Sequence, residues 1–293
     1  MERQLQVRLQ IPVDALQAVE EALEDAGALA QTLLSGDDSE LLEPGVGEHP
    51  LWRIVRMAVL FPGETDPETV KHQLAGVLGG DPPAWAVEWL EPRPWERAWL
   101  DDFHPMAFGR RLWIVPSGHR PPLPDGAVAV HLDPGLAFGT GTHETTALCL
   151  EWLDSQPLAG RVVLDYGSGS GVLSVAAAKL GASRVVAVDN DPQARQATAE
   201  NAARNGVAER VVVAAPGEDD AVTADFVVAN ILAGTLVRLA PQLMARCRSG
   251  GGMALSGILQ GQEQAVMEAF AGAVRWMPPR KRGQWLLLAG RRN

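Results

Sequence analysis

The chain has 293 residues, of which 46% are hydrophobic and 21% charged, and a formal net charge of −11. That length fits about two domains, and the absence of any apolar run of about 18 residues argues against a membrane protein, as the overall composition argues against a disordered chain. The distribution of charge says more than its sum. Residues 1–90 hold five Lys/Arg against sixteen Asp/Glu, whereas residues 91–293 balance at twenty of each sign. An acidic lobe disfavours phosphate-backbone binding; it is either an ordinary solvated surface or the complement of a basic partner.

The opening MERQLQVRLQIP alternates apolar and polar residues and lacks the apolar core of a signal peptide, so a cytoplasmic protein is expected. Leu5, Val7, Leu9 and Ile11 have the period of a half-buried strand; Leu16, Val19, Ala22, Leu23 and Ala26 then recur at helical spacing until Gly27. Ala28–Leu34 is a short apolar run ahead of a Gly/Asp/Pro-rich stretch at 36–50, and Ile54–Leu60 reads as another strand. Asp66-Pro67 opens a helix as cap and first-turn proline, with Val70, Leu74, Val77 and Leu78 on it and Gly79-Gly80 closing it. Trp85, Val87 and Trp89 share one face of a last strand. The order βαββαβ predicts a ferredoxin-like domain over 1–90, which is a statement about shape and not about function.

Pro92 and Pro94 precede a helix pattern at Trp95–Phe103, so 91–110 reads as a helical linker whose tryptophans serve as packing anchors. Residues 111–293 then form the larger domain. Its runs at 161–165, 184–189, 210–214, 225–229 and 252–256 are short, continuous and valine-rich, as strands buried on both faces are. Helix patterns at 171–181, 192–205, 232–247 and 262–271 alternate with them, and Val274–Met277 and Trp285–Ala289 close the chain as an antiparallel pair. The expected fold class is α/β, with a doubly wound, mostly parallel seven-stranded sheet, Rossmann-like, beside the smaller α+β domain. Cys149 and Cys247 lie far apart without CxxC spacing or a nearby histidine and read as buried reduced thiols; no metal site is expected.

The chemistry concentrates in Asp165-Tyr-Gly167-Ser-Gly169-Ser-Gly171, a glycine loop between a strand and a helix. A dinucleotide fingerprint GxGxxG starting at Gly167 would need glycine at 172, where Val172 stands. A carboxylate directly ahead of the loop would repel a pyrophosphate at the helix N-terminus, whereas S-adenosylmethionine presents an ammonium and a sulfonium. Asp165, Gly167, Gly169 and Gly171 are therefore expected at a methyl-donor site. Asp189 ends the next strand, twenty residues after Gly169, where a carboxylate can accept from two ribose hydroxyls. Asn230 ends the fourth strand as either a turn residue or the amide acceptor that aims a substrate amine. Leu132–Thr146 (LDPGLAFGTGTHETT) is either a connector or a segment that closes over a ligand. It supplies Phe138 and Thr142 as further candidates, with His143 as proton acceptor or helix-start residue.

Together with WERAWLDDFHPMAFGRRLWI, ANILAG and LSGIL, these motifs resemble the bacterial ribosomal protein L11 methyltransferases along essentially the whole chain. The resemblance implies an S-adenosylmethionine-dependent protein N-methyltransferase acting on the N-terminal α-amine and lysine ε-amines of L11. It implies donor contacts at Thr146, Gly167, Asp189 and Asn230, with Asn230 as the catalytic residue. Two residues depart from the family pattern: Glu144 stands where proline is more frequent, and Ser168 where cysteine is. The substrate is expected to be L11 free of the ribosome, recognised by the acidic domain, with no direct nucleic-acid or membrane partner. A glutamine or adenine methyltransferase would be expected to carry Asn-Pro-Pro-aromatic where this chain has Asn230-Ile-Leu-Ala. A non-catalytic scaffold that retains the fold is the alternative from another class.

Overall fold

The computed structural model describes residues 3–36, 52–90, 104–116, 118–133, 143–218, 222–270 and 272–293. The chain divides into two compact units, Met1–Ala98 and Trp99–Asn293.

In the first unit, β1 (Gln4–Pro12), α1 (Leu16–Asp25), β2 (Ala30–Ser35), β3 (Ile54–Pro62), α2 (Pro67–Leu78) and β4 (Ala86–Leu90) follow one another. The sheet order is β2-β3-β1-β4, and all three pairings are antiparallel. This is the split βαβ arrangement of ferredoxin-like domains. The period-2 residues Leu5, Val7, Leu9 and Ile11 join Val55, Met57, Val59 and Phe61 in one core with Val19, Leu23, Val70 and Leu74 of the helices. The start of α2 follows from its sequence: Asp66 accepts from the N–H groups of Glu68 and Thr69, both at 3.2 Å, and Pro67 needs no acceptor. Gly79 ends the helix with φ +70°, which a side chain would resist.

The second unit begins with a small sheet of β5 (Met106–Phe108), β6 (Leu112–Val115) and β7 (Val128–His131). Residues 104–110, read from sequence as the end of a helical linker, instead lead into β5 and its turn. Asp154 organises that turn by accepting the Arg110 N–H at 2.6 Å, and the pairing Phe108↔Leu112 closes it. Residues 91–103 of the same expected linker lie outside the described residues.

The main sheet contains β8 (Val162–Tyr166), β9 (Arg184–Val188), β10 (Val211–Ala214), β11 (Ala224–Asn230), β12 (Cys247–Leu259), β13 (Val274–Trp276), β14 (Arg280–Arg282) and β15 (Trp285–Arg292). Its order is β10-β9-β8-β11-β12-β15-β13. The strands from β10 to β12 are parallel, and β15 is antiparallel to β12. An eighth strand, β14, was not expected; it shares one edge of β15 with β13, pairing with residues 285–287 while β13 pairs with 290–292. Helices α3 (Glu144–Ser155), α4 (Val172–Lys179), α5 (Pro192–Arg204), α6 (Ala233–Arg246) and α7 (Glu263–Ala269) complete the unit.

Alternate residues of the same strands feed two cores, which is what a sheet buried on both faces requires. Val163, Val185, Val228, Ala254 and Leu287 pack with α3 and α4, while Leu164, Val186, Val227, Leu255 and Leu288 pack with Leu236 and Leu243 of α6, Val266 of α7 and Phe270 just after it. The chain leaves β8 toward β9 on one side, with β11 on the other. The crevice outside the carboxyl ends of β8 and β11 is thus the topological switch point, where ligands bind in such sheets.

Candidate functional site

The glycine loop leaves β8 at that switch point. The N–H groups of Gly167 and Ser168 both donate to Val188 O, at 2.7 and 3.1 Å, which turns the chain sharply over the end of β9. Gly167, Gly169 and Gly171 have φ of +80°, +53° and +78°, the left-handed region that glycine enters without a Cβ clash. Two of them also lack room for a side chain. A Cβ on Gly167 would overlap Cγ2 of Ile231, and one on Gly171 would lie 2.8 Å from Thr198 Cα. Gly171 is the N-cap of α4, so the loop delivers its backbone to a helix N-terminus.

Asp165 is fully buried. Its Oδ2 accepts from Ser174 Oγ at 2.6 Å, and its Oδ1 has no hydrogen-bond partner among the described residues. Burial pushes its pKa up to about 7; the Ser174 hydrogen bond opposes that rise and the Asp189 charge adds to it. Asp189 immediately follows β9, and its carboxylate is clamped by backbone: Oδ2 accepts the Gly169 N–H and Oδ1 the Asp191 N–H, both at 2.9 Å. Each oxygen keeps a second lone pair.

Asn230, the last residue of β11, donates from Nδ2 to Oγ1 of Thr146 at 3.2 Å. Thr146 is fully buried in the first turn of α3. His143 caps that helix, its Nδ1 accepting the Thr145 N–H at 3.3 Å and lying 2.7 Å from Thr145 Oγ1. This is the helix-start role of the two the sequence offered. Phe138 and Thr142 lie outside the described residues.

A cavity of about 540 Å³ opens here, lined among others by His143, Asn190, Asn230, Ile231, Arg238 and Trp285. His143 and Trp285 meet in a T-shaped contact, with ring centroids 5.0 Å apart. A glycine is also required at 257, where φ is +83° and a Cβ would overlap the carbonyl of Ile231. The structure thus brings Asn230 and Thr146 into contact and Asp189 against the glycine loop. Sequence reasoning missed Ser174, Thr198, Ile231, Arg238 and the cavity role of Trp285. Trp285 read only as a strand residue, and a helix pattern alone does not mark which of its polar residues turn inward. The departure at Ser168 is accommodated inside the loop, since its Oγ lies 3.1 Å from Thr198 Oγ1. Cys149 and Cys247 are both buried, and burial raises both thiol pKa values, that of Cys247 to about 11.

Residues 3–293 match the family described as ribosomal protein L11 methyltransferase (PrmA). The ribosomal protein L11 methyltransferase of Halorhodospira halophila is 62% identical over 290 residues, covering 99% of each chain. That of Alkalilimnicola ehrlichii is 54% identical, covering 97% of this chain and 98% of its own. The solved structure of a ribosomal protein L11 methylase from Lactobacillus delbrueckii subsp. bulgaricus is 35% identical, with a TM-score of 0.58, and covers 65% of this chain and all of that one.

Proposed function

The chain belongs to the ribosomal protein L11 methyltransferase (PrmA) family, and from that premise we propose that it methylates the N-terminal α-amine and lysine ε-amines of L11 while that protein is free of the ribosome, in the cytoplasm and without a nucleic-acid partner. The enzyme is an S-adenosylmethionine-dependent methyltransferase. The observation that carries the residue-level reading is the convergence at one switch point of the glycine loop, the clamped Asp189 and the Asn230–Thr146 pair.

These residues fit the donor. The loop has a backbone cradle in which side chains are excluded, and the buried Asp165 keeps one oxygen without a partner. Gly167, Gly169 and Gly171 would hold the amino-acid end of the donor, with Asp165 as its anionic complement. The second lone pairs of Asp189 would accept the ribose hydroxyls, and Thr146 would close the site from α3. Phe138 and Thr142 belong to the same proposed set. When bound, S-adenosylmethionine supplies an electrophilic methyl group on a sulfonium.

The protein's part is alignment and exclusion of water, since in-line displacement at carbon needs no protein nucleophile. The Asn230 amide has one acceptor oxygen and two donor hydrogens. With one N–H engaged by Thr146, its Oδ1 can accept from the substrate amine and direct the nitrogen lone pair at the methyl carbon. The amine must be neutral. At pH 7.4 an α-amine with a pKa of about 7.7–8.0 is roughly a quarter unprotonated, whereas a lysine near 10.4 is neutral about one time in a thousand. None of the described residues lining the cavity is a carboxylate that would hold the ammonium form, and the Arg238 guanidinium disfavours it.

Residues 1–90 are proposed as the recognition domain for the basic substrate, joined by the segment that follows to a catalytic domain that already includes β5 (Met106–Phe108). Asp14, Glu20, Glu21, Glu24 and Asp25 all lie within or beside α1, where no Lys or Arg intervenes. Labelled donor offered in parallel to free L11, assembled large subunits and bare ribosomal RNA tests the proposal. Transfer to the amines of free L11 is expected, and label on RNA alone would overturn it.

A further inference from the structure

Helix α5 and its C-cap residue Asn205 carry a column of buried polar side chains on the face that packs inward. Thr198 is fully buried, and Asn201 and Asn205 are each 8% exposed. Their spacing of three and then four residues stacks them on one face. A polar side chain buried without partners is destabilising, so such a column persists only where its bonds are made.

Those bonds run to two segments of backbone. Thr198 Oγ1 donates to Gly169 O at 3.1 Å, and Asn201 Nδ2 donates to Ser170 O at 2.8 Å. Asn205 brackets one residue of β7: its Oδ1 accepts the His131 N–H at 2.7 Å and its Nδ2 donates to His131 O at 2.7 Å, with a further bond to Asn201 O at 2.8 Å. Gly169 is therefore held at both ends of its peptide groups, by Asp189 at its N–H and by Thr198 at its carbonyl. His131 is the last residue of β7, directly ahead of the Leu132–Thr146 run, whose far end is tied to Asn230.

We infer that Thr198, Asn201 and Asn205 are positioning residues for methyl transfer, a column that fixes the orientation of the Gly169 and Ser170 carbonyls and sets where the chain leaving β7 starts relative to the glycine loop. The inference rests on the reading of that loop as the methyl-donor site. Apolar side chains of similar volume would fill the same space. They would also release both carbonyls, so the loop would have to be ordered at the expense of donor binding. No assigned donor contact lies on α5; its effect is transmitted through the loop backbone.

The test compares Asn201→Leu and Thr198→Val with Thr198→Ser, which keeps the hydroxyl. S-adenosylhomocysteine affinity is measured by calorimetry, and KM for the donor and kcat at saturating donor by initial rates, each on protein checked for folding by circular dichroism. Asn201→Leu and Thr198→Val are expected to raise Kd and KM about tenfold, or about 1.4 kcal/mol, with kcat within about twofold of wild type. Thr198→Ser should restore both constants. A lower melting temperature with unchanged Kd and KM would overturn the inference. If Asn201→Leu does not fold, the Thr198→Val and Thr198→Ser pair carries the comparison alone. Asp189→Ala separates the two readings: if it too leaves donor affinity unchanged, the donor-site assignment fails, whereas silent α5 variants beside a weakened Asp189→Ala sink the positioning role.

Discussion

Asn230 at the end of β11 donates to Thr146 in the first turn of α3 at 3.2 Å, which joins positions 84 residues apart in the chain. In the proposed mechanism this bond orients the amide so that its oxygen can accept from a substrate N–H. Asn230→Ala is expected to lower the rate at saturating donor about a hundredfold, the scale of a misplaced reacting group. Thr146→Val removes only the partner and should cost less. An unchanged saturating rate in Asn230→Ala would refute the aiming role.

Asp189 has two duties that substitution can separate. Its carboxylate accepts the N–H groups of Gly169 and Asp191, and in the proposed complex also the ribose hydroxyls. Asp189→Ala should weaken S-adenosylhomocysteine binding at least tenfold and lower the melting temperature as well. Asp189→Asn keeps one acceptor oxygen and should fall between the two. Titration calorimetry beside thermal denaturation reads both effects.

The buried carboxyl of Asp165 makes stability depend on pH with a definite sign. Its folded pKa is raised from 3.8 to about 7, so the folded state binds the proton more tightly than the unfolded chain does. The associated stability is fully present below about pH 4, falls as pH rises towards 7, and is absent above it. Asp165→Asn should remove that slope and raise the melting temperature of the ligand-free protein by several degrees at pH 8. An ammonium bound beside Asp165 would favour the carboxylate, so donor binding near pH 7 should release protons. Calorimetry in buffers of different ionisation enthalpy measures that release, and a binding enthalpy independent of buffer would contradict it.

Gly171 is held at φ +78° with Thr198 Cα 2.8 Å from any added Cβ. Gly171→Ala should cost about 1–2 kcal/mol from the left-handed conformation alone, with a further loss from displacing α5. Gly206 has a similar φ of +67° but open space around it, so Gly206→Ala should show the conformational cost without the steric one. Equal destabilisation of the two variants would exclude the close approach as a constraint.

The acidic surface of α1 supplies a prediction about the substrate. Charge reversal at Glu20, Glu21 and Glu24 should raise KM for intact L11 and flatten its salt dependence, with donor affinity unchanged. Salt-independent kinetics in the unaltered enzyme would remove the electrostatic argument for the first domain.

Periodicity and punctuation sufficed for much of the architecture. The valine-rich runs announced β8 to β11 because strands covered on both faces are apolar along most of their length, and Asp66-Pro67 with Gly79 bounded α2 because cap chemistry is local. The glycine loop and Asp189 were legible for the same reason, since they stand at strand ends in a fixed order. The strands β5 to β7 and β14 were not read from the sequence: each spans three or four residues and is defined by its pairing with its partners in the sheet. Nor could the sequence tell that Thr198, Asn201 and Asn205 face inward, because polar residues at helical spacing look the same whether they meet water or a loop carbonyl. The chain by itself determined the family, the donor and the order of elements in the first domain and through the parallel strands of the second. The tertiary structure alone decided which distant groups meet, Asn230 with Thr146 and Asn205 with His131, because hydrogen bonds between segments depend on packing that no local pattern encodes.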